Sequence, residues 1–292
     1  MGKRDRILVV GAGKSGISAV SLLALKNERP ILFDSNRELN IEKVRQEAGK
    51  LCSGMEIYAG SLPDDVRAAV GKLIISPGVP TDSEFVESFR REGIPVSGEI
   101  ELAYTYEKGT LIAITGTNGK TTTTALTGKI INDHMGKALV VGNIGTPYTG
   151  EVLKTSEDSV TVAEISSFQL ETVDRFKPHI SAILNITPDH LNRHHTMEQY
   201  ILEKEKIAAR QDENDYLILN YEDEILREFS GRAGCRVIFF STGKRPERGY
   251  YYEDGYICSN MNGSDERLIH KSEMNILGLH NMENAMAAIA MS

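Results

Sequence analysis

Lys120 closes the run Ile114-Thr115-Gly116-Thr117-Asn118-Gly119 and is followed by four threonines, Thr121 to Thr124. An apolar strand at 111–114 that enters a glycine-bracketed turn and then a helix is the build of a phosphate-binding loop. Backbone N–H groups of Gly116, Thr117, Asn118, Gly119 and the residues after them can surround polyphosphate oxygens. Lys120 can neutralise the outer phosphates, and the Thr121 hydroxyl can reach Mg²⁺, with Thr122 beside it. The helix N-terminus adds to the attraction for an anion. Four threonines open a helix poorly, because β-branched residues are mediocre helix formers, so something other than propensity selects them. The general pattern asks for glycine at 114; this chain has Ile114, a shortened variant.

Three further residues could work beside that loop. Glu164 interrupts the apolar run 160–165 at the C-terminal end of a strand, where a carboxylate can hold Mg²⁺ directly or through water. His190 follows Asp189 in a proline turn after a strand at 179–186, and its imidazole could join a second metal or the γ-phosphate region, or serve simply as a surface or core histidine. His194 and His195 read as solvated loop residues. In a helix expected over 196–211, Lys204 falls within the apolar stripe of Met197, Tyr200, Ile201, Ile207 and Ala208. A buried unpaired ammonium is expensive, so Lys204 needs a partner or a chemical modification; alternatively it snorkels to Glu203 or solvent.

The elements that must position these groups alternate strand and helix, which implies an α/β protein with parallel sheets. A strand at 6–10 runs into Gly11-Ala12-Gly13-Lys14-Ser15-Gly16 and a helix, and a second strand at 31–33 ends at Asp34. This G-x-G-x-x-G context suits NAD, with Asp34 near a ribose hydroxyl, and equally any nucleotide diphosphate. A nicotinamide-dependent oxidoreductase therefore remains an alternative. Gly11 to Gly16, Asp34 with Ser35, and Ser76 to Gly78 should share the rim beyond the strands' carboxyl ends. The first domain is expected over 1–97 and the second over 98–292. Later come a strand at 138–141 with a turn at 142–147, strands at 216–219 and 237–240, and a hairpin at 250–257 turning at Asp254-Gly255.

With 292 residues the chain should hold about two domains. A formal net charge of −8 argues against a general nucleic-acid or membrane-surface binder and favours a small anionic ligand in a local basic cleft. The three cysteines have no C-x-x-C spacing, which points to a reducing cytoplasm and no zinc knuckle. No run approaches the ~18 apolar residues of a membrane span. The final apolar helix stops without glycine, proline or a basic last turn, and a further segment is expected beyond it.

Taken together, Thr115-Gly116-Thr117-Asn118-Gly119-Lys120-Thr121, Glu164-Ile165-Ser166-Ser167-Phe168-Gln169-Leu170, the stretch Leu184 to Leu191 and Gly278-Leu279-His280-Asn281 resemble the Mur ligases of bacterial peptidoglycan synthesis. The glutamate-serine-serine-phenylalanine-glutamine-leucine stretch favours the member that adds D-glutamate. The resemblance implies a Rossmann-like parallel-sheet domain for UDP followed by a P-loop ATPase-type central domain, with a third domain absent and the chain inactive alone. It implies ATP and Mg²⁺, with UDP-N-acetylmuramoyl-L-alanine and D-glutamate as substrates joined through an acyl phosphate. By resemblance, Lys120 and Thr121 meet phosphates and magnesium; Glu164 and His190 hold metal; Lys204 is carbamylated by CO₂ into a further metal ligand. Asn281 and Asn284 would contact adenine, Asn143 and His190 the muramoyl substrate, and Ser15, Asp34, Ser35 and Gly78 the uridine diphosphate. Asn36, with Arg37 one place later, departs from the arginine that the family can stack on uracil. A cytoplasmic monomer is expected.

Overall fold

The computed structural model describes residues 4–52, 54–143, 145–274 and 278–292, and the chain divides into two compact units. Unit one comprises Met1–Glu107, Thr146–Lys154 and Glu171–Phe176; unit two comprises Lys108–Gly145, Thr155–Leu170 and Lys177–Ser292.

Unit one is built on β1 (Arg6–Val10), β2 (Pro30–Asp34), β3 (Glu56–Ala59), β4 (Val70–Ile75) and β5 (Val96–Gly98), in the order β3-β2-β1-β4-β5, all parallel. The three inner strands carry continuous apolar runs, at 7–10, 31–33 and 73–75, as parallel strands covered on both faces do, whereas the edge strands β3 and β5 are only partly buried. Leu8, Val10, Ile31, Phe33, Leu73 and Ile75 form its core with Val86 and Phe89 of the helix Glu84–Arg91. The later segments join this unit through specific bonds. The Glu101 carboxylate accepts the backbone N–H groups of Asp174, Arg175 and Phe176 at 3.1, 2.9 and 3.0 Å. The Thr149 hydroxyl donates to Ser18 Oγ at 2.8 Å.

Unit two holds nine strands: β6 (Thr110–Thr115), β7 (Ala138–Gly142), β8 (Val160–Glu164), β9 (Ile180–Ile183), β10 (Tyr216–Asn220), β11 (Arg236–Ser241), β12 (Gly249–Glu253), β13 (Tyr256–Ser259) and β14 (Glu266–His270). Their order is β14-β13-β12-β11-β10-β9-β6-β8-β7. Strands β6 to β12 pair in parallel, and β13 and β14 extend the sheet antiparallel. The expected hairpin is present, with Asp254 and Gly255 both at positive φ (51° and 85°), as a two-residue hairpin turn requires. The chain leaves β6 toward β7 and β8 on one side, while β9 lies on the other. The reversal makes a crevice beyond the carboxyl ends of β6 and β9. The helix Leu279–Ala290 covers the sheet with buried Met282, Ala285, Met286 and Ala287.

The helix expected over 196–211 is shorter. It runs Met197–Glu205, capped by the Thr196 side chain, and tightens to a 3₁₀ turn over Lys206–Ala208. Such a tightened turn is a common way to end a helix. Ile144 of the expected turn at 142–147 lies outside the described residues.

Candidate active site

The phosphate loop occupies the crevice between β6 and β9, and its backbone is fixed by the chain that follows β9. Thr117 N–H donates to the Asn185 carbonyl at 2.9 Å, and Asn118 N–H donates to Asn185 Oδ1 at 2.8 Å. The Thr117 hydroxyl donates to the Thr187 carbonyl at 3.1 Å. Gly119, the N-cap of the helix Lys120–Met135, has φ 85°, a left-handed value that suits glycine. A Cβ there would lie 2.4 Å from Asn284 Oδ1. Neither a side-chain cap nor a first-turn acid competes for the helix N-terminus, which leaves its N–H groups to an anion. Thr121 and Thr122 are exposed at this opening, whereas Thr123 and Thr124 are buried. The four threonines thus divide between surface and core, a division that helix propensity does not set.

Two ammonium groups meet on one carbonyl. Lys120 Nζ donates to Gly116 O and Thr117 O, both at 2.9 Å, and Lys204 Nζ donates to Gly116 O at 2.8 Å. Lys204 is 1% exposed, and its ammonium lies 4.7 Å from the centre of the Tyr200 ring. Burial, reinforced by the Lys120 charge and opposed by Asp189, pushes its pKa down to about 7. Burial likewise lowers Lys120, against the pull of Glu164 and Asp189. The expected alternative of Lys204 snorkelling to Glu203 or solvent is not what the chain does. Glu203 turns instead to Gln199 and Lys206.

Lys120, Lys204, Asn143, Ser166, Ser167, Phe168, Asp189, His190 and Tyr200 line one cavity of about 260 Å³. Glu164 lies at its margin, 2% exposed, at the end of β8 beside Ile114 of β6. Its Oε1 accepts a long hydrogen bond from Asn143 Nδ2 at 3.4 Å. His190 is exposed, adopts φ 51°, and sits 3.4 Å from Asp189 through Nε2, with its ring 4.9 Å from that of Phe168. A left-handed histidine stores strain, a feature that clusters at functional sites. Among the described residues no group of three His, Cys, Asp or Glu side chains could hold a metal ion. Of the expected donors Thr121, Glu164 and His190, two belong to that class, and a carboxylate on Lys204 would add a third.

His194 corrects an expectation. It is 3% exposed rather than solvated, because its short helix turns it inward, and its Nε2 lies 3.0 Å from Ser167 Oγ. Asp189, Ser167 and Tyr200 were given no site role by sequence, although the Pro-Asp-His turn, the Glu164–Leu170 stretch and the apolar stripe each contain one of them. Asn284 is buried, accepts from the Thr123 hydroxyl at 3.2 Å and donates to Asn281 Oδ1 at 3.2 Å. It thus braces the loop from behind, with the less buried Asn281 in front.

In unit one the expected rim forms around the switch point between β2, β1 and β4. Asp34 accepts Ala12 N–H at 2.8 Å and Asn36 N–H at 2.9 Å, and Ser76 Oγ donates to Gly11 O at 3.1 Å. A Cβ on Gly16 would lie 1.8 Å from Gly11 O, so this turn closes only with glycine. Ser15 is half-buried beside it, and Ser35 and Gly78 are exposed. Asn36 is engaged locally, accepting Glu38 N–H at 2.9 Å.

Residues 5–98 match the Mur ligase MurD-like N-terminal domain, and residues 114–292 match the Mur ligase middle domain. The chain is 52% identical over 290 residues to UDP-N-acetylmuramoylalanine–D-glutamate ligase of Lachnospira eligens, covering 99% of this chain and 64% of that protein. It is 47% identical to the enzyme of the same name from Lachnoclostridium phytofermentans, covering 98% of this chain and 63% of that one. It thus spans less than two thirds of the length of the curated relatives it matches. Its fold is similar to UDP-N-acetylmuramate:L-alanyl-gamma-D-glutamyl-meso-diaminopimelate ligase from Neisseria meningitides, with TM-score 0.61, 13% identity, and 98% and 92% of the two chains covered. UDP-N-acetylmuramate-alanine ligase from Thermotoga maritima gives TM-score 0.54 at 23% identity, covering 98% of this chain and 64% of that one.

Proposed function

The chain belongs to the Mur ligase family, and from that premise we propose that it serves an ATP-dependent ligase joining D-glutamate to UDP-N-acetylmuramoyl-L-alanine. The observation that carries this reading is the cavity below the phosphate loop. There two lysines, a buried glutamate at its margin and a strained histidine converge where a carboxylate and a terminal phosphate could meet. In the proposed reaction the alanyl carboxylate takes the γ-phosphoryl group of ATP, and the amine of D-glutamate then displaces phosphate to form the amide.

Gly116 to Thr122 would enclose the ATP phosphates through backbone N–H groups, and Lys120 would turn from its own loop carbonyls to the outer phosphates. Asn281, braced by Asn284, would face adenine. Asn143 and His190 would hold the muramoyl substrate, and Ser15, Asp34, Ser35 and Gly78 its uridine diphosphate. Thr121, Glu164, His190 and a carbamylated Lys204 would hold Mg²⁺, which supplies positive charge against the phosphates. The depressed pKa of Lys204 supports its modification, since only the neutral amine attacks CO₂. The ammonium first gives one proton to solvent. The neutral amine then forms a C–N bond to CO₂ as one C=O π bond opens, and a second N–H proton leaves to solvent, so that an ammonium becomes an anionic carbamate with the loss of two protons.

Calorimetric titration of the chain with UDP-N-acetylmuramoyl-L-alanine and, separately, with NADH tests the reading. Binding of the muramoyl nucleotide is expected. NADH binding without it would favour the oxidoreductase that the glycine turn of unit one also permits.

A further inference from the structure

The pairing of His194 with Ser167 has no part in the roles assigned to the other cavity residues. Ser167 lines the cavity that also holds Lys120, Asn143 and His190. The imidazole behind it is 3% exposed and clamped between two rings, with centroids 5.5 Å from Phe168 and 5.2 Å from Tyr200. Tyr200 in turn shares a hydrogen bond of 3.1 Å with Thr117 of the phosphate loop. Tyr200 thus touches both the His194 ring and the phosphate loop, and the His194 Nε2 lies 3.0 Å from Ser167 Oγ.

A hydroxyl has one hydrogen to give. If Nε2 accepted it, Ser167 would present only lone pairs to a cavity with two lysines on its wall, a poor match for an anionic ligand. If Nε2–H donates instead, the serine hydrogen is released toward the cavity. From this geometry we infer that His194 is a positioning residue. Its Nε2–H tautomer turns the Ser167 hydroxyl into a donor to an oxyanion of the bound ligand, either the carboxylate to be activated or the transferring phosphoryl group. This rests on the ligase reading for the identity of the ligand, while the tautomer and the hydrogen bond are properties of the chain itself.

Two measurements test it. Nitrogen NMR of labelled histidine in the unliganded chain should show a protonated Nε2 for His194 whose resonance moves in Ser167→Ala; an unprotonated, acceptor Nε2 overturns the inference whether or not the ligase reading stands. Calorimetry then compares UDP-N-acetylmuramoyl-L-alanine with a non-hydrolysable ATP analogue, to distinguish carboxylate from phosphoryl as the anion. For one of them His194→Phe should weaken binding roughly three- to tenfold, a typical net hydrogen bond. His194→Gln, which keeps a donor, should stay within about twofold of the wild type. Ser167→Ala should match His194→Phe, and the double variant should lose no more than either. Additive losses would reduce His194 to packing and overturn the inference, as would unchanged binding of both ligands in His194→Phe. Absence of wild-type binding to either ligand would instead remove the ligase reading, and the oxyanion role with it.

Discussion

At Lys204, burial and the neighbouring Lys120 bring an amine to a pKa of about 7, so that near neutral pH a large share of it is uncharged and nucleophilic. Chain supplied with isotope-labelled bicarbonate above pH 7 should therefore show a carbamate carbon resonance. The signal should fade below pH 7, where the amine is protonated, and vanish in Lys204→Arg. A spectrum without that resonance in the wild type would contradict the carbamate. At this scale the sequence was partly legible. A lysine inside an apolar stripe announced that something must compensate it, since helical spacing alone places position 204 on the buried face. His194 was illegible for the complementary reason. Three polar residues and a histidine neighbour look solvated in one dimension, and only the packing of Phe168 and Tyr200 around the ring makes the position a core site.

Elements were legible where periodicity or glycine chemistry is strong. The strand-turn-helix at 111–135 and the glycine turn after β1 followed from patterns that few other structures satisfy. Strand β14 was not foreseen, since its exposed and charged residues lack a clear alternation; only pairing with β13 makes it a strand. Two substitutions probe how elements are held in place. Gly119→Ala puts a Cβ 2.4 Å from Asn284 Oδ1 at φ 85° and should cost about 1–3 kcal/mol in urea unfolding, with weakened nucleotide binding. Full stability in that variant would mean that the loop does not rest on Asn284. Glu101→Ala removes the acceptor of three backbone N–H groups and should destabilise by about 3 kcal/mol. An unshifted urea midpoint would show that the 171–176 segment is held by other contacts.

For the molecule as a whole, the buried lysine links stability to pH. Lys204 has a folded pKa of about 7 against an ordinary value of 10.5, so between those limits the unfolded chain binds more protons. Its contribution to stability therefore rises with pH across that window, by at most about 1.4 kcal/mol per unit. Below about pH 7 the full penalty of the buried charge is felt. Wild type should gain on Lys204→Met as pH is raised from 7 to 10 when both are unfolded in urea, and parallel pH profiles would refute the assignment. Two sheets of parallel strands with glycine-rich turns at their switch points were foreseeable from alternation, whereas the return of residues 146–154 and 171–176 to unit one was not. That return depends on single side chains such as Glu101, whose partners lie more than seventy residues away. Every role proposed for unit two depends on its crevice receiving the phosphates of ATP. Calorimetric titration of a magnesium-bound, non-hydrolysable ATP analogue into wild type and Lys120→Ala tests that placement. Binding to the wild type is expected, weakened roughly 10- to 100-fold in Lys120→Ala, the worth of a charge-assisted hydrogen bond. Equal binding by both proteins would contradict it.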